Sequence, residues 1–166
     1  MQHRSSYNLP RKYRIAFSGC SADCAFASVA DLGFFAHTNN GRKGFAVYSG
    51  GGLGPNPQVG IKIEDFIRDD EIFEVAEAVK RLFDEHGDRS NRHRARLRYV
   101  VARLGPEEFP NLYKATRTEL RRGGTFPQHS RNTRFRPAFQ DSQSCGSRGW
   151  QPQAQLGDGV VRNRNA

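Results

Sequence analysis

Apolar residues are scarce in this 166-residue chain: they make up 36% of it, and the mean hydropathy is -0.75. A compact domain normally contains more, so we expect part of the chain to stay unfolded. No run of about 18 apolar residues is present that could span a membrane, and the N-terminus lacks the pattern of a secretory signal. These absences predict a cytoplasmic protein with no membrane-spanning segment, built from one domain and a tail.

Several common catalytic motifs are missing as well. The glycine-rich segment 49–57 matches neither a Walker loop nor a dinucleotide-binding fingerprint. Ser18-Gly19-Cys20 lacks the second glycine of a nucleophile elbow, and the five histidines show no spacing typical of metal ligands or of a catalytic triad. The sequence therefore argues against nucleotide hydrolysis, dinucleotide-dependent chemistry and serine hydrolase activity.

Positive charge is concentrated at the C-terminal end. From Arg121 onward, eight arginines and two aspartates account for +6 of the net charge of +9. Gly, Gln, Ser, Asn and Pro dominate this segment without any periodicity. We therefore predict a folded domain over residues 7–120 and a disordered basic tail over residues 121–166.

The first 120 residues alternate between strand and helix patterns. The predicted elements are a strand over 13–17, a short helix over 22–30 capped by Ser21 or Asp23, a hairpin with apolar runs 32–36 and 44–48 around Asn39-Asn40-Gly41, a glycine loop over 49–57, and helices over 69–86, 90–104 and from Pro106 onward. This order predicts an α+β fold, in which a small mixed sheet has its helices packed on one side.

Three cations, Arg11, Lys12 and Arg14, lie in and just before the predicted first strand. Alternation along a strand would place Lys12 and Arg14 on one face, where they could bind an anion through charge-assisted hydrogen bonds. Such cations also protect solvated strand edges from unwanted pairing. The loop Gly50–Gly54 would let backbone amides approach an anion closely, which by itself is a weak signal.

Cys20 and Cys24 are four residues apart and would share one face of a helical turn, so that both thiolates could reach one metal or cluster edge. The alternative is a pair of small buried thiols that act as apolar side chains. A cysteine-ligated iron–sulfur cluster normally takes four thiolates. The chain has three cysteines, and the third, Cys145, lies in the predicted tail.

The predicted helix 90–104 and the turn before it are rich in arginine. The residues are Arg89, Arg92, Arg94, Arg96, Arg98 and Arg103. Such a surface is usually a solvated face, although it could also contact RNA or an acidic partner. Because no RNA-binding signature accompanies it, nucleic acid is a minor hypothesis.

Four segments in a fixed order carry a resemblance to a known family. They are Leu-Pro-Arg-Lys-Tyr-Arg within Asn8–Arg14, Ser-Gly-Cys-(three)-Cys-(six)-Asp-Leu-Gly-Phe from Ser18 to Phe34, the glycine-rich stretch Gly44–Gly54, and Gly-Asp-Arg-Ser-Asn-Arg-(three)-Arg-Leu-Arg-Tyr from Gly87 to Tyr99. Together they resemble the sirohaem-dependent nitrite and sulfite reductases, over roughly residues 7–120.

The resemblance implies a sirohaem bridged through a cysteine sulfur to a [4Fe–4S] cluster. It implies six-electron reduction of sulfite to sulfide, or of nitrite to ammonia, with electrons from ferredoxin or a flavoprotein. By the same resemblance, the catalytic cations are Lys12 and Arg14, the cofactor-binding residues are Arg11, Lys12, Arg14, Gly51 and Gly52, and the metal ligands are Cys20 and Cys24.

The chain departs from the family pattern in one important way. The family's enzymes have two related halves, and their cluster uses a Cys-(five)-Cys pair upstream of the Cys-(three)-Cys pair. The glycine loop and the segment from Gly87 look like the first half, in which Cys20 and Cys24 would be relics or buried thiols. The cysteine spacing looks like the second half, in which Cys24 would be the bridging ligand. We therefore predict a fragment that is inactive without the remaining half.

Overall fold

The computed structural model describes residues 7–20 and 22–124. The predicted tail lies outside these residues from position 125 onward, as does Ser21. The elements, in chain order, are the strands β1 (Ile15–Ser18), β2 (Leu32–Asn39), β3 (Arg42–Ser49) and β4 (Ile61–Ile67) and the helices α1 (Ile72–His86) and α2 (Leu97–Arg122), with 3-10 turns at Ala27–Val29 and Asp69–Glu71.

The four strands form one mixed sheet in the order β1-β2-β3-β4. β1 runs parallel to β2, and the other neighbouring pairs are antiparallel. The predicted hairpin is confirmed: β2 and β3 pair from Leu32↔Ser49 to Asn39↔Arg42. Asn40 and Gly41 form its turn with positive φ angles of 49° and 76°, a conformation that Asn and Gly adopt at low cost.

The short helix predicted over 22–30 is wrong. Asp23 and Phe26 both have a φ of 52°, in the left-handed region, which interrupts a right-handed helix. The Asp23 carboxylate instead accepts hydrogen bonds from the N–H groups of Ala27 (2.7 Å) and Ser28 (2.9 Å). Asp23 therefore caps a 3-10 turn, where a cap for a longer helix was expected.

The predicted helix 69–86 is confirmed, with its first three residues in a 3-10 turn. Its inward face is buried at the spacing of an amphipathic helix, at positions Val75, Ala78, Val79, Leu82 and Phe83. α1 ends at His86, and the N–H of the following residue, Gly87, donates to the Phe83 carbonyl at 3.0 Å.

The next two predicted helices merge into α2, which contains a break at Gly105 (φ 86°) just before Pro106. The first of them begins at Leu97, seven residues later than predicted from Ser90. The Asp88 carboxylate binds the N–H groups of Ser90 and Asn91, and this local side-chain bonding competes with helix formation. α2 continues to Arg122, so the helix extends past the predicted start of the tail.

The core lies between one face of the sheet and both helices. The sheet contributes Leu32, Phe34, Val47, Ile63 and Ile67, and α2 contributes Leu97, Val100, Val101, Phe109, Tyr113 and Leu120 opposite the apolar face of α1. Each large apolar side chain that is fully buried contributes about 1.5–3 kcal/mol. The predicted α+β fold, with a small mixed sheet and helices on one side, is confirmed. Within the described residues, no helix has the length and apolar character needed to cross a membrane.

Candidate anion-binding cavity and thiol pair

A cavity of about 860 Å³ opens where the segment before β1, the glycine loop and the start of α2 meet. Its walls carry six Lys and Arg side chains, two His side chains and a single acidic residue. The charged and histidine residues are Arg11, Lys12, His86, Asp88, His93, Arg94, Arg96, Arg98 and Arg103, and the loop contributes Leu53 to Asn56. Such an excess of cations predicts a polyanionic ligand.

One wall is fixed by a buried ion pair between Asp31 and Arg96. Asp31 is fully buried at the start of β2. Arg96 reaches both of its carboxylate oxygens through Nη2, at 3.0 and 2.8 Å, and the Arg14 N–H donates to Oδ2 at 2.9 Å. A buried carboxylate is stable only when it is paired in this way. Asp31 therefore holds the segment before β1 against the segment before α2.

Arg98 forms the floor of the cavity and is 6% exposed. Its guanidinium donates to the Asn56 carbonyl and to the Tyr99 hydroxyl, both at 2.9 Å. Its Nε is buried and has no hydrogen-bond partner among the described residues. An orphaned buried N–H is rare in folded proteins.

The structure separates the three cations predicted near β1. Lys12 lines the cavity, and so does Arg11, whose Nη1 donates to the Arg92 carbonyl at 2.6 Å. Arg14 does not line it, because its Nη2 donates to the Val29 carbonyl at 2.6 Å. Lys12 precedes β1, so strand alternation is not what places it in the wall.

The two predicted cofactor-binding glycines are packed inside the protein. A Cβ on Gly51 would lie 2.4 Å from the Ser28 carbonyl oxygen, and one on Gly52 would lie 2.9 Å from Arg98 Cδ. Gly52 also exchanges two backbone hydrogen bonds with Gln58, at 2.8 and 2.9 Å. The glycines therefore let the loop pack closely against the residues that support it, and the loop residues that line the cavity are Leu53 to Asn56.

The arginine-rich segment is largely tied to the protein. Arg89 contacts Asp84 and the Asn8 carbonyl, and Arg103 donates to the His86 carbonyl at 2.6 Å. Arg94 differs, since it is exposed and lines the cavity. Hydrogen bonds from the hydroxyl of Ser90 and the N–H of Asn91 lower the pKa of Asp88, which keeps the carboxylate that orders this segment ionised.

Cys20 and Cys24 lie together on the turn that follows β1, with their sulfur atoms 2.8 Å apart. The Cys24 N–H also donates to Cys20 Sγ at 3.3 Å. Hydrogen bonds from the Cys24 thiol and N–H lower the pKa of Cys20 to about 7. Cys20 is partly exposed and Cys24 is exposed, so the alternative of two buried apolar thiols is wrong.

The thiol pair provides only half of the ligands of a four-thiolate cluster. Across residues 7–20 and 22–124, no group of three or more His, Cys, Asp or Glu side chains is arranged to hold a metal ion. The described residues therefore fit a shared cluster edge but do not complete a cluster site.

Some of the site could not be read from the sequence. Asp31 and Arg96 each lie in a segment that carries the family resemblance, but they are separated by 65 positions, and neither segment indicates that the two residues pair. His86 and His93 gave no signal, because single histidine residues are common on protein surfaces.

A family model described as "Nitrite and sulphite reductase 4Fe-4S domain" matches residues 1–119. The chain is 40% identical over 108 residues to the sulfite reductase [NADPH] hemoprotein beta-component of Acidithiobacillus ferrooxidans, covering 61% of this chain and 19% of that protein. It is 37% identical over 111 residues to the assimilatory ferredoxin-dependent nitrite reductase of Haloferax mediterranei, covering 61% of this chain and 18% of that protein.

The fold is similar to that of the Mycobacterium tuberculosis NirA protein, with a TM-score of 0.61 and 27% identity. This match covers 68% of the chain and 20% of NirA. The chain thus spans about one fifth of the length of the curated relatives that it matches.

Proposed function

The chain belongs to the nitrite and sulphite reductase 4Fe-4S domain family, and we propose that it supplies the cationic wall of a site that holds sirohaem and a small oxyanion, sulfite or nitrite. The electron donor would be ferredoxin, as for the ferredoxin-dependent relative, or a flavoprotein. The predicted cytoplasmic location remains a prediction.

The observation that carries this proposal is the imbalance of charge in the cavity, where six Lys and Arg side chains stand against one Asp. Of these six cations, Arg96 is paired with Asp31 behind the wall, and the other five form no ion pair with the described residues. Sirohaem is edged with carboxylates, and charge-assisted hydrogen bonds from Arg to carboxylate are about twice as strong as neutral ones. Arg98, whose guanidinium is held by the Asn56 carbonyl and the Tyr99 hydroxyl, adds a positioned cation to the lining of the same cavity. A volume of about 860 Å³ is within the range of known ligand pockets.

The residues of the wall would have different tasks. Sirohaem would supply an iron centre for multi-electron reduction of the oxyanion. Arg11, Arg94 and Arg98 would bind its carboxylates, and Lys12 would bind the oxyanion and hold a proton at Nζ. Arg14, which the family resemblance assigns to catalysis, is bonded to the Val29 carbonyl, so we assign it the task of holding the segment that carries Lys12. Gly51 and Gly52 would contribute indirectly, by placing the loop.

We also propose that the chain does not reduce sulfite or nitrite by itself. Cys20 and Cys24 would provide one edge of a cluster. The remaining ligands would have to come from residues beyond the described part of the chain, such as the other half of a reductase. The chain would therefore act as one part of a composite redox site.

The alternative is a basic module that binds RNA or an acidic partner. That hypothesis depended on an outward-facing arginine helix and on the tail. Arg89, Arg96, Arg98 and Arg103 have protein partners instead, and the tail lies outside the described residues. Nothing in the described part of the chain favours this function, and it stays a prediction.

The test is to titrate the purified chain with sirohaem and to follow the visible absorption spectrum. We expect saturable binding that weakens with added salt. Arg94→Ala should bind about tenfold more weakly, which is the loss expected for about 1.4 kcal/mol. The matched control is Arg42→Ala, which removes an exposed cation at the tip of the β2–β3 hairpin, away from the cavity.

Haem with only two propionates is a second ligand control, and it should bind more weakly than sirohaem because fewer carboxylates reach the wall. Circular dichroism would establish that both variants are folded. Equal sirohaem affinities for Arg94→Ala and Arg42→Ala would contradict the proposed wall, as would the absence of any binding by the wild-type chain.

A further inference from the structure

The turn between β1 and the 3-10 turn at Ala27–Val29 brings two thiols into contact. Cys20 and Cys24 are separated by three residues, and their sulfur atoms are 2.8 Å apart. A disulfide needs a sulfur–sulfur distance of about 2.05 Å. The two sulfur atoms would therefore have to approach by less than an ångström.

Both ends of this turn are held in place. Ser18, the last residue of β1, is buried, and its hydroxyl donates to the Cys20 carbonyl at 3.1 Å. At the other end, the Asp23 carboxylate binds the N–H groups of Ala27 and Ser28. Ser18 and Asp23 are thus each held by hydrogen bonds near the pair, and solvent reaches both thiols.

A complete cluster would use these thiols, but this chain contains only three cysteines. In the described residues no third ligand stands beside the pair. Two adjacent, accessible thiols without a metal react readily with disulfides, because the second thiol is already in place to displace the first adduct.

From this geometry we propose that Cys20 and Cys24 form a reversible thiol–disulfide site, which closes to an intrachain disulfide on reaction with a low-molecular-weight disulfide such as oxidised glutathione. In the first step, one cysteine thiolate attacks a sulfur of oxidised glutathione. The glutathione disulfide breaks, a mixed disulfide forms and one glutathione leaves.

In the second step, the other cysteine attacks the sulfur of its neighbour, which releases the second glutathione. The protein loses two electrons and two protons, and these convert one oxidised glutathione into two reduced molecules. The proposal does not depend on the function of the cavity, because neither cysteine lines it.

The test uses the full chain with Cys145→Ser, so that only the pair can react. After treatment with oxidised glutathione, the intact mass should show the loss of two hydrogen atoms and no retained glutathione. Peptide mapping should place the bond between Cys20 and Cys24, and dithiothreitol should reverse it. The matched controls add Cys20→Ser or Cys24→Ser, and each should retain one glutathione as a stable adduct.

Two results would overturn the proposal. One is a chain with both cysteines intact that retains one or two glutathione molecules or does not react at all. The other is a chain that, after anaerobic incubation with iron and sulfide, holds both and is protected from oxidised glutathione, because the pair would then be a cluster site even in this chain. Failure of the disulfide test leaves the sirohaem titration unaffected, so the two proposals can fail separately.

Discussion

Arginine has two different uses at the two ends of α2. Near the C-terminal end, Arg117 contacts three carboxylates, those of Glu64, Glu71 and Glu74. Near the N-terminal end, Arg98 has neutral oxygens as its partners and leaves Nε without one among the described residues. The charge of Arg117 is neutralised by carboxylates of the protein itself, whereas Arg98 lies in a cavity with excess positive charge.

The presence or absence of carboxylate partners distinguishes cations that stabilise the fold from cations that are candidates for binding a ligand. The Arg117 network joins β4, the 3-10 turn before α1, α1 itself and α2, so each charge stabilises the packing of elements distant in sequence. The cavity cations line one concave surface and, apart from Arg96, have no carboxylate partner among the described residues, so like charges lie close together without compensation. Uncompensated charge in a concave site is therefore the stronger indication of function.

The network around Arg117 is tightly connected. Arg117 is 9% exposed, and the Tyr113 hydroxyl donates to Glu64 Oε1 at 3.0 Å. Burial lowers the pKa of Arg117, but Tyr113, Glu74 and Glu64 outweigh burial and hold it above its ordinary value. Burial also raises the pKa of the Tyr113 hydroxyl. The guanidinium therefore stays charged over the usual pH range.

The largest effect is expected when Arg117, the arginine paired with carboxylates, is removed. Arg117→Ala leaves the carboxylates of Glu64 and Glu74 largely buried without their main partner. Breaking a buried ion pair in this way costs about 3–5 kcal/mol. We expect the free energy of unfolding, measured in urea, to fall by about that amount.

Arg121→Ala is the matched control, because Arg121 contacts Glu71 and Glu74 but its side chain is 52% exposed. A solvent-exposed pair of this kind is worth less than about 1 kcal/mol. If the two variants lost equal stability, burial would not be what distinguishes the network from an ordinary surface.

A smaller effect is expected at Asp31, the buried acid behind the cavity. Asp31→Asn keeps the size of the side chain and one acceptor oxygen but removes the charge that pairs with Arg96. A hydrogen bond to a charged group contributes about 1.5–3 kcal/mol. We therefore expect a loss of about 2 kcal/mol in the free energy of unfolding, measured in urea.

Asp31→Asn should also weaken sirohaem binding, since Arg96 would no longer be held in the wall. The double variant Asp31→Asn with Arg96→Ala separates the two roles through a thermodynamic cycle. Additive losses in that cycle would mean that Asp31 and Arg96 do not act as a pair, and that the wall of the cavity is held by other contacts.

Local patterns in the sequence predicted much of the fold. The apolar spacing of α1 and the Asn-Gly turn between β2 and β3 depend on near neighbours, and the structure confirms both. The prediction of a helix over 22–30 was wrong. The alanine content of this segment favours a helix, whereas the observed turn depends on the left-handed backbone conformation of Asp23 and Phe26. β4 was not predicted, and its pairing with β3 contains register shifts, which blur the alternation of apolar and polar residues.

The candidate site was less predictable because it depends on contacts between distant positions. The sequence identified Arg11 and Lys12 as candidate anion-binding residues, and both line the cavity. It gave no way to see that Arg14 turns to the Val29 carbonyl, or that Asp31 would pair with Arg96. Likewise, the sequence gives no sign that Arg117 of α2 contacts three acidic residues that are distant from it in sequence, namely Glu64, Glu71 and Glu74.

The smallest expected effect concerns the pH dependence of the Arg117 network. Burial raises the pKa of Glu71, but the Arg68 N–H and the charges of Arg117, Arg68 and Arg121 outweigh it, so the net pKa lies below the ordinary 4.5. A carboxyl group whose pKa is lowered by folding stabilises the protein above its unfolded pKa, and this contribution is lost as the pH falls through the folded value. Between about pH 6 and about pH 3, wild-type protein should therefore lose more free energy of unfolding than Glu71→Gln, by less than about 1 kcal/mol.

Asp65→Asn is the exposed control. Lys62 lowers the pKa of Asp65, but the Asp65 side chain is 90% exposed, so the stability of Asp65→Asn as a function of pH should be closer to that of wild type. Parallel curves for wild type and Glu71→Gln would mean that the arginines at this end of α2 do not hold Glu71 ionised, and the contrast with the cavity would then depend on Glu64 and Glu74 alone.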